Sequence, residues 1–443
     1  MPNVPAVFLL AALHDLPQAP LWVGLSGGLD SSVLLHVLAQ HAPARAAGLR
    51  AVHVHHGLHA DADAWAEHCQ HVCGALGIEL TIAAVNVART AGCGLEAAAR
   101  DARYAAFAGV LSDGDVLALG HHRDDQAETF LLRAARASGP AGLGAMRRWR
   151  PLGGARLWRP LLATARADLL AYAQANGLTW IEDPSNADPG FDRNFLRERV
   201  LPLLRERWPH VDAAFARSAS LHADADALLD DGDTIALAQV TTADPACVSV
   251  GELQRLPRAR RARVLRRWIA ALRLPPLPGT GVDRIENDLL AARADADACF
   301  AWQGAVITRW RDLLHAGQQR AALRTDWCLQ WDGGRCATLP EGARLQLLGA
   351  DVLPSPCVLH ARSGGERITL PGRTHSHALK HVLQDMAIPP WQRAHLPLLS
   401  TQGGELLAVG DRLYSGGFDR WLRQQQARLV WTPPGATNDN AAD

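Results

Sequence analysis

The feature that most constrains this chain is an apolar run that leads into a Ser-Gly-Gly-x-Asp-Ser turn, followed by a second apolar run with helical spacing. The turn occupies residues 26–31. This order predicts a strand, a tight loop and a helix. Gly27 and Gly28 leave no Cβ in the way of a ligand, and the first amides of the helix would point into the loop. With the hydroxyl groups of Ser26 and Ser31, the loop is predicted to hold phosphate oxygens.

This loop differs from the Gly-x4-Gly-Lys-Ser/Thr kind, because the only lysine of the chain is Lys380. A carboxylate in the turn, Asp30, suits a hydrated Mg²⁺ beside phosphates. The alternative is an ordinary strand-to-helix turn in which Asp30 lies near a helix N-terminus. We predict that the following residues bind the phosphates of a nucleotide: Ser26, Gly27, Gly28, Leu29, Asp30 and Ser31, with Asp30 also as the Mg²⁺ ligand.

Strand-like and helix-like segments alternate from residue 49 to residue 137. Alternation at this spacing predicts a parallel, doubly wound sheet, in which ligands bind at the carboxyl ends of the strands. Three polar clusters fall at those predicted ends, at residues 26–31, 53–57 and 121–125. Their coincidence is stronger evidence for a ligand site than one glycine loop, and it adds His53 and His55 to the predicted nucleotide-binding residues.

The third cluster, residues 120–129, combines two histidines with adjacent acidic residues. Asp125 precedes Glu128 by three residues, as in a capping box that opens a helix. A functional interpretation places His121, Asp124 and Asp125 towards the triphosphate and the reacting groups, where they could bind Mg²⁺ or a cationic amine. Capping and function are compatible, so both interpretations stay open at this point.

A chain of 443 residues is expected to hold two to four domains. The predicted architecture is an α/β domain at 1–210 with a doubly wound parallel sheet, a mostly helical middle domain at 211–330, a small α+β domain at 355–432 and a disordered tail at 433–443. Residues 255–273 carry eight arginines and no acid, with apolar residues at helical spacing. A basic helical face is typical of phosphate binding, although a solvated surface helix is the alternative.

Several further motifs complete a pattern that spans residues 1–210. They are Gly94-Leu-Glu96 to Arg103-Tyr104, Ser138 to Met146, Arg159-Pro-Leu-Leu162, Trp180 to Asn186 and Asp192-Arg-Asn-Phe-Leu-Arg197. With the loop at 26–31 and the histidine clusters, they resemble the bacterial tRNA(Ile)-lysidine synthases, a family within the ATP-pyrophosphatase (PP-loop) superfamily. The loop motif marks the superfamily, and the later motifs single out the family. The middle region matches more loosely, and residues 365–410 resemble the C-terminal domain of the family.

The resemblance implies the following chemistry. ATP adenylylates O2 of the wobble cytidine in an isoleucine tRNA with a CAU anticodon, and pyrophosphate leaves, with Mg²⁺ offsetting its charge. The ε-amine of free L-lysine then attacks C2 and displaces AMP. Carboxylates suit the incoming lysine, since they bind an ammonium group and can accept its proton. The target base must leave the anticodon stack to react.

The catalytic candidates are Asp30, His121, Asp124, Asp125 and Glu128. Basic residues within the matched motifs and on the arginine-rich helix are candidates for binding RNA. They are Arg100, Arg103, Arg193, Arg197, Arg263, Arg267, Arg373, Lys380 and Arg393. For Arg193 and Arg197, an i,i+4 pair on a solvated face is the alternative.

Other PP-loop enzymes and a catalytically silent tRNA-binding protein are the competing interpretations. A thiolase would need a cysteine pair, and Cys69 and Cys73 are poorly spaced for one, being better explained as packed or free thiols. A glutamine-dependent synthetase would need a glutaminase block, which the sequence does not suggest. The sequence shows no signal peptide or membrane span, so a reduced cytoplasmic setting is expected. It leaves open whether the protein is a monomer or a homodimer.

Overall fold

The computed structural model describes residues 9–57, 59–85, 95–184, 190–293 and 298–434, without the side chains of residues 95–97 and 341. The chain divides into two compact units, residues 1–231 and residues 232–443. The division falls inside a helix that begins at Val211, one residue after the predicted end of the first domain. The predicted tail at 433–443 lies outside the described residues from position 435 onward.

The first unit contains a sheet whose strands alternate with helices. Its elements up to the third polar cluster are β1 (Leu21–Gly24), α1 (Leu29–Gln40), α2 (Ala42–Ala46), β2 (Arg50–His55), α3 (Ala62–Leu76), β3 (Glu79–Ala84), α4 (Leu95–Val110), β4 (Val116–Ala118) and α5 (Arg123–Ala135). They continue with α6 (Pro140–Leu143), β5 (Trp149–Leu152), β6 (Ala155–Trp158), α7 (Arg166–Ala175), α8 (Asp192–Phe195), α9 (Leu201–Arg207) and α10 (Val211–Val240). A 3₁₀ turn covers Pro160–Ala163, and a π-helical turn covers Leu196–Val200.

The described strands of this sheet run in the order β3-β2-β1-β4-β6-β5. All neighbouring pairs are parallel except β5 with β6. Every residue of β4 is buried, as expected for a strand covered on both faces. Leu34 of α1 and Leu169 of α7 pack in the core on one face, and Phe107 of α4 packs in the core on the other. The predicted doubly wound α/β fold is therefore confirmed.

The strand order reverses direction at β1, which lies between β2 and β4. In an open parallel sheet, such a switch point leaves a crevice at the carboxyl ends of the two central strands. The loop at 25–28 follows β1 and the segment at 119–122 follows β4, so both border this crevice. They approach closely at Gly120, where a Cβ atom would lie 2.9 Å from the carbonyl carbon and oxygen of Asp30.

The second unit combines short helices with antiparallel sheets. Its first elements are β7 (Cys247–Ser249), α11 (Val250–Arg255), α12 (Arg258–Ala271), α13 (Gly279–Arg284), a π-helical turn (Ile285–Leu289), β8 (Cys299–Trp302), β9 (Ala305–Trp310) and β10 (Leu313–Gln318). The four strands form one sheet in the order β7-β10-β9-β8. The middle region is thus helical, as predicted, with this sheet packed against the helices through Trp268 and Ile307.

The remaining elements form the C-terminal region. They are β11 (Cys328–Trp331), β12 (Ala337–Thr338), a 3₁₀ turn (Pro340–Gly342), β13 (Arg344–Leu348), β14 (Cys357–His360), β15 (Arg367–Ile368), β16 (His377–Ala378), α14 (Leu379–Asp385), α15 (Pro390–Arg393), β17 (Leu398–Thr401), β18 (Leu406–Val409), β19 (Leu413–Tyr414), α16 (Gly416–Gln424) and β20 (Arg428–Thr432). A five-stranded sheet has the order β11-β14-β17-β18-β19. This mixture confirms the predicted small α+β region. No helix within the described residues is both long and apolar enough to cross a membrane.

Candidate active site

The loop after β1 is ordered by its own hydroxyl groups. The Ser31 hydroxyl donates to the Gly28 carbonyl oxygen at 3.0 Å, and the two Oγ atoms of Ser26 and Ser31 lie 3.0 Å apart. The backbone amide of Gly28 donates to Ser26 Oγ at 3.3 Å. Gly27 has a φ angle of 85°, a left-handed conformation that glycine adopts without a steric cost. The loop is therefore held in a tight turn by its own side chains.

Two neighbouring segments hold the backbone of this loop. His53 is buried at the end of β2, and its Nδ1–H donates to the carbonyl oxygen of Leu25 at 2.9 Å. The backbone amide of Ile181 donates to the Gly27 carbonyl at 2.9 Å. Burial lowers the pKa of His53, so its ring stays neutral in this position. His53, predicted to bind the nucleotide, thus supports the loop through Leu25, while His55 Nε2 pairs with the exposed Asp63 at 2.9 Å.

The imidazole of His122 lies among three carboxylates. Its Nε2 is 3.6 Å from Asp30 Oδ2 and 3.5 Å from Asp125 Oδ2, and its Nδ1 is 3.7 Å from Asp124 Oδ2. Burial lowers the pKa of His122, but Asp30, Asp125 and Asp124 outweigh it and raise the pKa above the ordinary value. This ring joins the phosphate loop to the start of α5, although the sequence had pointed to its neighbour His121.

The capping box predicted for α5 lies three residues earlier than expected. The N-cap is His122, not Asp125, and the backbone N–H of His122 donates to Asp125 Oδ2 at 2.9 Å. Asp125 therefore occupies the third helical position, where a carboxylate also favours the positive end of the helix dipole. The prediction that Asp125 and Glu128 form the box was wrong, because the helix begins at Arg123.

Glu128 is buried, and its carboxylate forms ion pairs with two arginines. Arg193 Nε lies 2.6 Å from Glu128 Oε2, and Arg197 Nε lies 2.7 Å from Glu128 Oε1. Arg193 also reaches Asp125 Oδ1 at 2.7 Å. The Glu128 side chain is 1% exposed, so this charge depends on its cationic partners. These pairs link α5 to the segment that contains α8 and the π-helical turn.

Asp124 is the most exposed of the three carboxylates on α5, with 21% of its side chain accessible, against 12% for Asp125 and 1% for Glu128. Its Oδ2 accepts the backbone N–H of Arg166 at 3.0 Å, and its Oδ1 lies 3.4 Å from Arg205 Nη2. All three carboxylates therefore have donors within the protein, and Asp124 and Asp125 lie in the first turn of α5.

The backbone of His122 is extended, so the side chain of its neighbour His121 is expected to point in a different direction. Its Nδ1 accepts a hydrogen bond from Arg159 Nε at 3.3 Å. Burial lowers the pKa of His121 to about 3, although the nearby charge of Asp125 raises it. The ring is consequently neutral.

The phosphate loop offers one oxygen that suits a divalent cation. Asp30 Oδ1 is buried and has no hydrogen-bond partner within the described residues. A carboxylate oxygen without a donor, next to a phosphate-binding turn, fits the way in which Mg²⁺ binds through one or two carboxylates and substrate phosphates. Asp30 would then be the protein ligand, and its role as the Mg²⁺ ligand stays a prediction.

The predicted RNA-binding residues separate into two groups. Arg100, Arg103, Arg373 and Lys380 are exposed. The others are more buried. Arg193 and Arg197 pair with Glu128, and Arg263 Nε lies 2.5 Å from Oδ2 of the buried Asp233. Arg393 donates to the carbonyl oxygens of Ile388 and Leu383, and Arg267 is half-buried. A guanidinium held by a buried carboxylate contributes less to binding an external phosphate, so the exposed group is the stronger set of candidates.

Two residues of the site were missed by the sequence analysis. His122 was passed over because two adjacent histidines alternate in direction, and the pattern does not show which one faces the loop. Arg159 belonged to a quoted motif but was given no role. Arg159 is 3% exposed. Its guanidinium donates to His121 Nδ1 and to the Arg147 carbonyl oxygen. The signal that could have found it was its place in the Arg159-Pro-Leu-Leu162 motif.

Comparison with known proteins agrees with this geometry. A family model described as a PP-loop domain matches residues 6–204. Models described as the TilS substrate binding domain and the TilS substrate C-terminal domain match residues 249–315 and 357–431. A phosphate loop at the switch point of a parallel sheet, within a PP-loop domain, defines the chain as an ATP-using PP-loop enzyme.

Curated relatives are more specific. The chain is 55% identical to the tRNA(Ile)-lysidine synthase of Xanthomonas axonopodis pv. citri, over 95% of both proteins. It is 50% identical to that of Xylella fastidiosa, over 94% of this chain and 95% of the relative. The chain therefore belongs to the tRNA(Ile)-lysidine synthase family. Among solved structures, the U34-tRNA thiolase NcsA from Methanococcus maripaludis is 18% identical, with a TM-score of 0.41 over 48% of this chain and 76% of that one.

Proposed function

We propose that this enzyme ligates free L-lysine to C2 of the wobble cytidine of tRNA(Ile) with a CAU anticodon, through an adenylylated cytidine. The single observation that carries the proposal is that the phosphate loop and the carboxylate-rich start of α5 share one buried imidazole, His122. ATP cleavage at the loop and capture of an amine at the carboxylates then take place within one site. The membership of the family supports this choice of substrates.

In the first step, the loop at 26–31 binds the triphosphate and O2 of the cytidine attacks the α-phosphate. Backbone amides at the start of α1 and the ordered hydroxyl groups donate to the phosphate oxygens. Asp30 would hold Mg²⁺, which supplies charge neutralisation for the leaving pyrophosphate. The protein contributes a fixed turn, so little reorganisation is needed when negative charge shifts towards the pyrophosphate.

In the second step, the ε-amine of lysine attacks C2 and AMP leaves with the oxygen that had been O2. Lysine binds more readily as an ammonium ion but must be neutral to attack. Asp124, Asp125 and Glu128 are the candidates for binding this ammonium group and accepting its proton. Each carboxylate has about four lone-pair sites, so one that already accepts from an arginine can still accept from an amine.

The tRNA is proposed to contact Arg100 and Arg103 of α4, and Arg373 and Lys380 of the C-terminal region, because these side chains are exposed and cationic. Phosphate contacts of this kind position an RNA without reading its sequence. Mutating them is expected to weaken binding in a salt-dependent way.

The thiolase alternative is disfavoured by the state of the two cysteines on α3. Burial raises the pKa of Cys69 to about 12 and that of Cys73 to about 11. Sulfur transfer depends on a thiolate, which needs a pKa lowered towards neutrality. These two thiols pack in the core of the first unit instead.

The test is ATP-dependent transfer of labelled lysine to an in vitro transcript of tRNA(Ile) with a CAU anticodon, with the methionine tRNA of the same anticodon as the control. We expect label on the first transcript, none on the second, and one AMP released per lysine transferred. Absence of label on the isoleucine transcript, together with lysine or sulfur transfer to a different tRNA, would overturn the proposal.

A further inference from the structure

Arg159 is a buried cation for which the proposed reaction has so far no use. The residue is 3% exposed and follows β6, at the carboxyl edge of the sheet. It forms no salt bridge with any carboxylate among the described residues, whereas a buried guanidinium normally has such a partner. Its side-chain hydrogen bonds go to neutral groups, namely His121 Nδ1 at 3.3 Å and the Arg147 carbonyl oxygen at 2.8 Å. A buried guanidinium without a carboxylate partner is costly to the fold, which suggests that Arg159 has a functional role.

The bond to His121 fixes the chemistry of that ring. A guanidinium can only donate, so His121 Nδ1 must accept, and its lone pair is then occupied. The neutral ring must carry its single proton on Nε2. Protonation of Nδ1 would set an N–H against the N–H of Arg159, so the imidazolium form is disfavoured by geometry as well as by charge.

His121 follows β4 at the carboxyl edge of the sheet, and charged groups surround it. Its ring is within electrostatic range of Asp125 on α5, of Arg193 on α8 and of Arg103 on α4. His122, the next residue, contacts Asp30 as well as Asp124 and Asp125. His121 is therefore within electrostatic reach of Asp125, one of the carboxylates proposed to receive the amine.

We infer that Arg159 locks His121 as a neutral Nε2–H hydrogen-bond donor to an acceptor oxygen of the substrate, and that His121 is not a proton acceptor in this reaction. His121 touches the substrate in this scheme, and Arg159 acts through it as a positioning residue. Proton removal from the amine is left to the carboxylates of α5. This inference rests on the proposed function only for the identity of the substrate.

The tautomer can be measured without any substrate. The full-length chain is labelled with ¹⁵N-histidine, and the His121 signal among the 19 histidines is assigned by its loss in His121→Gln. We expect a neutral ring with the proton on Nε2. In Arg159→Met the lone pair of Nδ1 becomes free, so the signal should move to a tautomer mixture or to the imidazolium. A protonated or Nδ1–H ring in the wild type would overturn the inference, as would an unchanged signal in Arg159→Met.

Arg156→Met is the matched control, because it makes the same substitution at an exposed position on β6, where the guanidinium lies 4.2 Å from the Trp149 ring centroid. It should leave the His121 signal in place. Arg159→Lys is the second variant in case Arg159→Met does not fold. Its ammonium group can still donate to Nδ1, so the Nε2–H signal should be kept. Loss of that signal in a folded Arg159→Lys chain would count against a hydrogen-bond lock.

Kinetics separate a donor from a base. A glutamine amide can place an N–H near the position of Nε2, whereas alanine cannot. We expect His121→Gln to retain kcat within about tenfold and His121→Ala to lose about 10²–10³-fold, with little change in KM for ATP. Equal losses for both variants would contradict the donor role. If wild-type enzyme fails to transfer lysine but shows the Nε2–H ring, the proposed function fails and the lock stands.

Discussion

Nε2 of His122 lies 3.6 Å from Oδ2 of Asp30, across the gap between the segments that follow β4 and β1. The side chain of His122 is 2% exposed and that of Asp30 is 34% exposed. The carboxylate is therefore partly accessible, whereas the ring that it contacts is buried. Oδ1 of Asp30 remains without a hydrogen-bond donor among the described residues. Oδ2 of Asp30 thus lies beside the His122 ring, and Oδ1 is a buried oxygen whose lone pairs no described donor uses.

Replacing Asp30 by alanine is expected to lower AMP formation at least about 100-fold, because both the proposed Mg²⁺ ligand and the partner of His122 are lost. Binding of the tRNA, followed by filter retention, should persist. Asp61→Ala is the control, because it removes an exposed carboxylate that lies 3.5 Å from His59 Nδ1. It should leave both AMP formation and tRNA binding unchanged. If Asp30→Ala loses tRNA binding together with AMP formation, the role of Asp30 is structural.

Replacing Arg193 by methionine is expected to destabilise the fold by about 2–3 kcal/mol. This is below the about 3–5 kcal/mol typical of breaking a buried ion pair, because Arg197 stays on the Glu128 carboxylate. Urea denaturation of the full chain measures the change. Arg136→Met breaks an ion pair with Asp192 in which both side chains are 69% exposed, so it should cost at most about 1 kcal/mol. Equal costs for the two variants would contradict a buried role for Arg193.

The stability contributed by Asp15 is expected to depend on pH. Burial tends to raise its pKa, but hydrogen bonds from Arg148 and Trp149 outweigh it and lower the pKa to about 2. Trp158 Nε1–H donates to the same carboxylate at 3.2 Å. Since the unfolded carboxyl titrates near its ordinary value, the stabilisation is full above pH about 4 and is lost as the pH falls through about 2.

This shift corresponds to about 2 kcal/mol at neutral pH, falling to about half by pH 3. The free energy of unfolding of the wild type minus that of Asp15→Asn, measured in urea at several pH values, should follow this decline. Asp101→Asn, at an exposed position on α4, is the control and should show no such slope. A difference that stays constant from pH 7 to pH 3 would show that the carboxylate charge is unimportant.

Replacing Gly120 by alanine is expected to raise KM for ATP and to cost about 1–3 kcal/mol of stability, because the new methyl group would overlap the backbone of Asp30. The start of α1 and the phosphate loop would have to move. Gly74→Ala adds the same atom within α3, where nothing lies within 4 Å, and should stabilise the protein by about 0.5–1 kcal/mol. An unchanged KM for ATP in Gly120→Ala would mean that the two segments separate without harm to the site.

The sequence was sufficient for the α/β fold and for the prediction that these polar clusters meet at one edge of the sheet. Apolar runs that end in polar clusters identify parallel strands, and the strand order then brings residues 26–31 and 121–125 to one edge. It was insufficient for the partners of each charge. Arg193 and Arg197 have the i,i+4 spacing of a solvated pair, yet both pair with a carboxylate about 65 residues earlier in the chain.

The local pattern of this chain therefore determined its class, because hydrophobic periodicity and turn residues act over a few positions and survive in any context. Tertiary structure alone decided that His122 faces Asp30 while His121 accepts from Arg159. Adjacent residues in extended backbone differ only in direction, and that direction has meaning only relative to elements packed on either side. The direction of each of these two side chains was consequently decided by packing between distant segments.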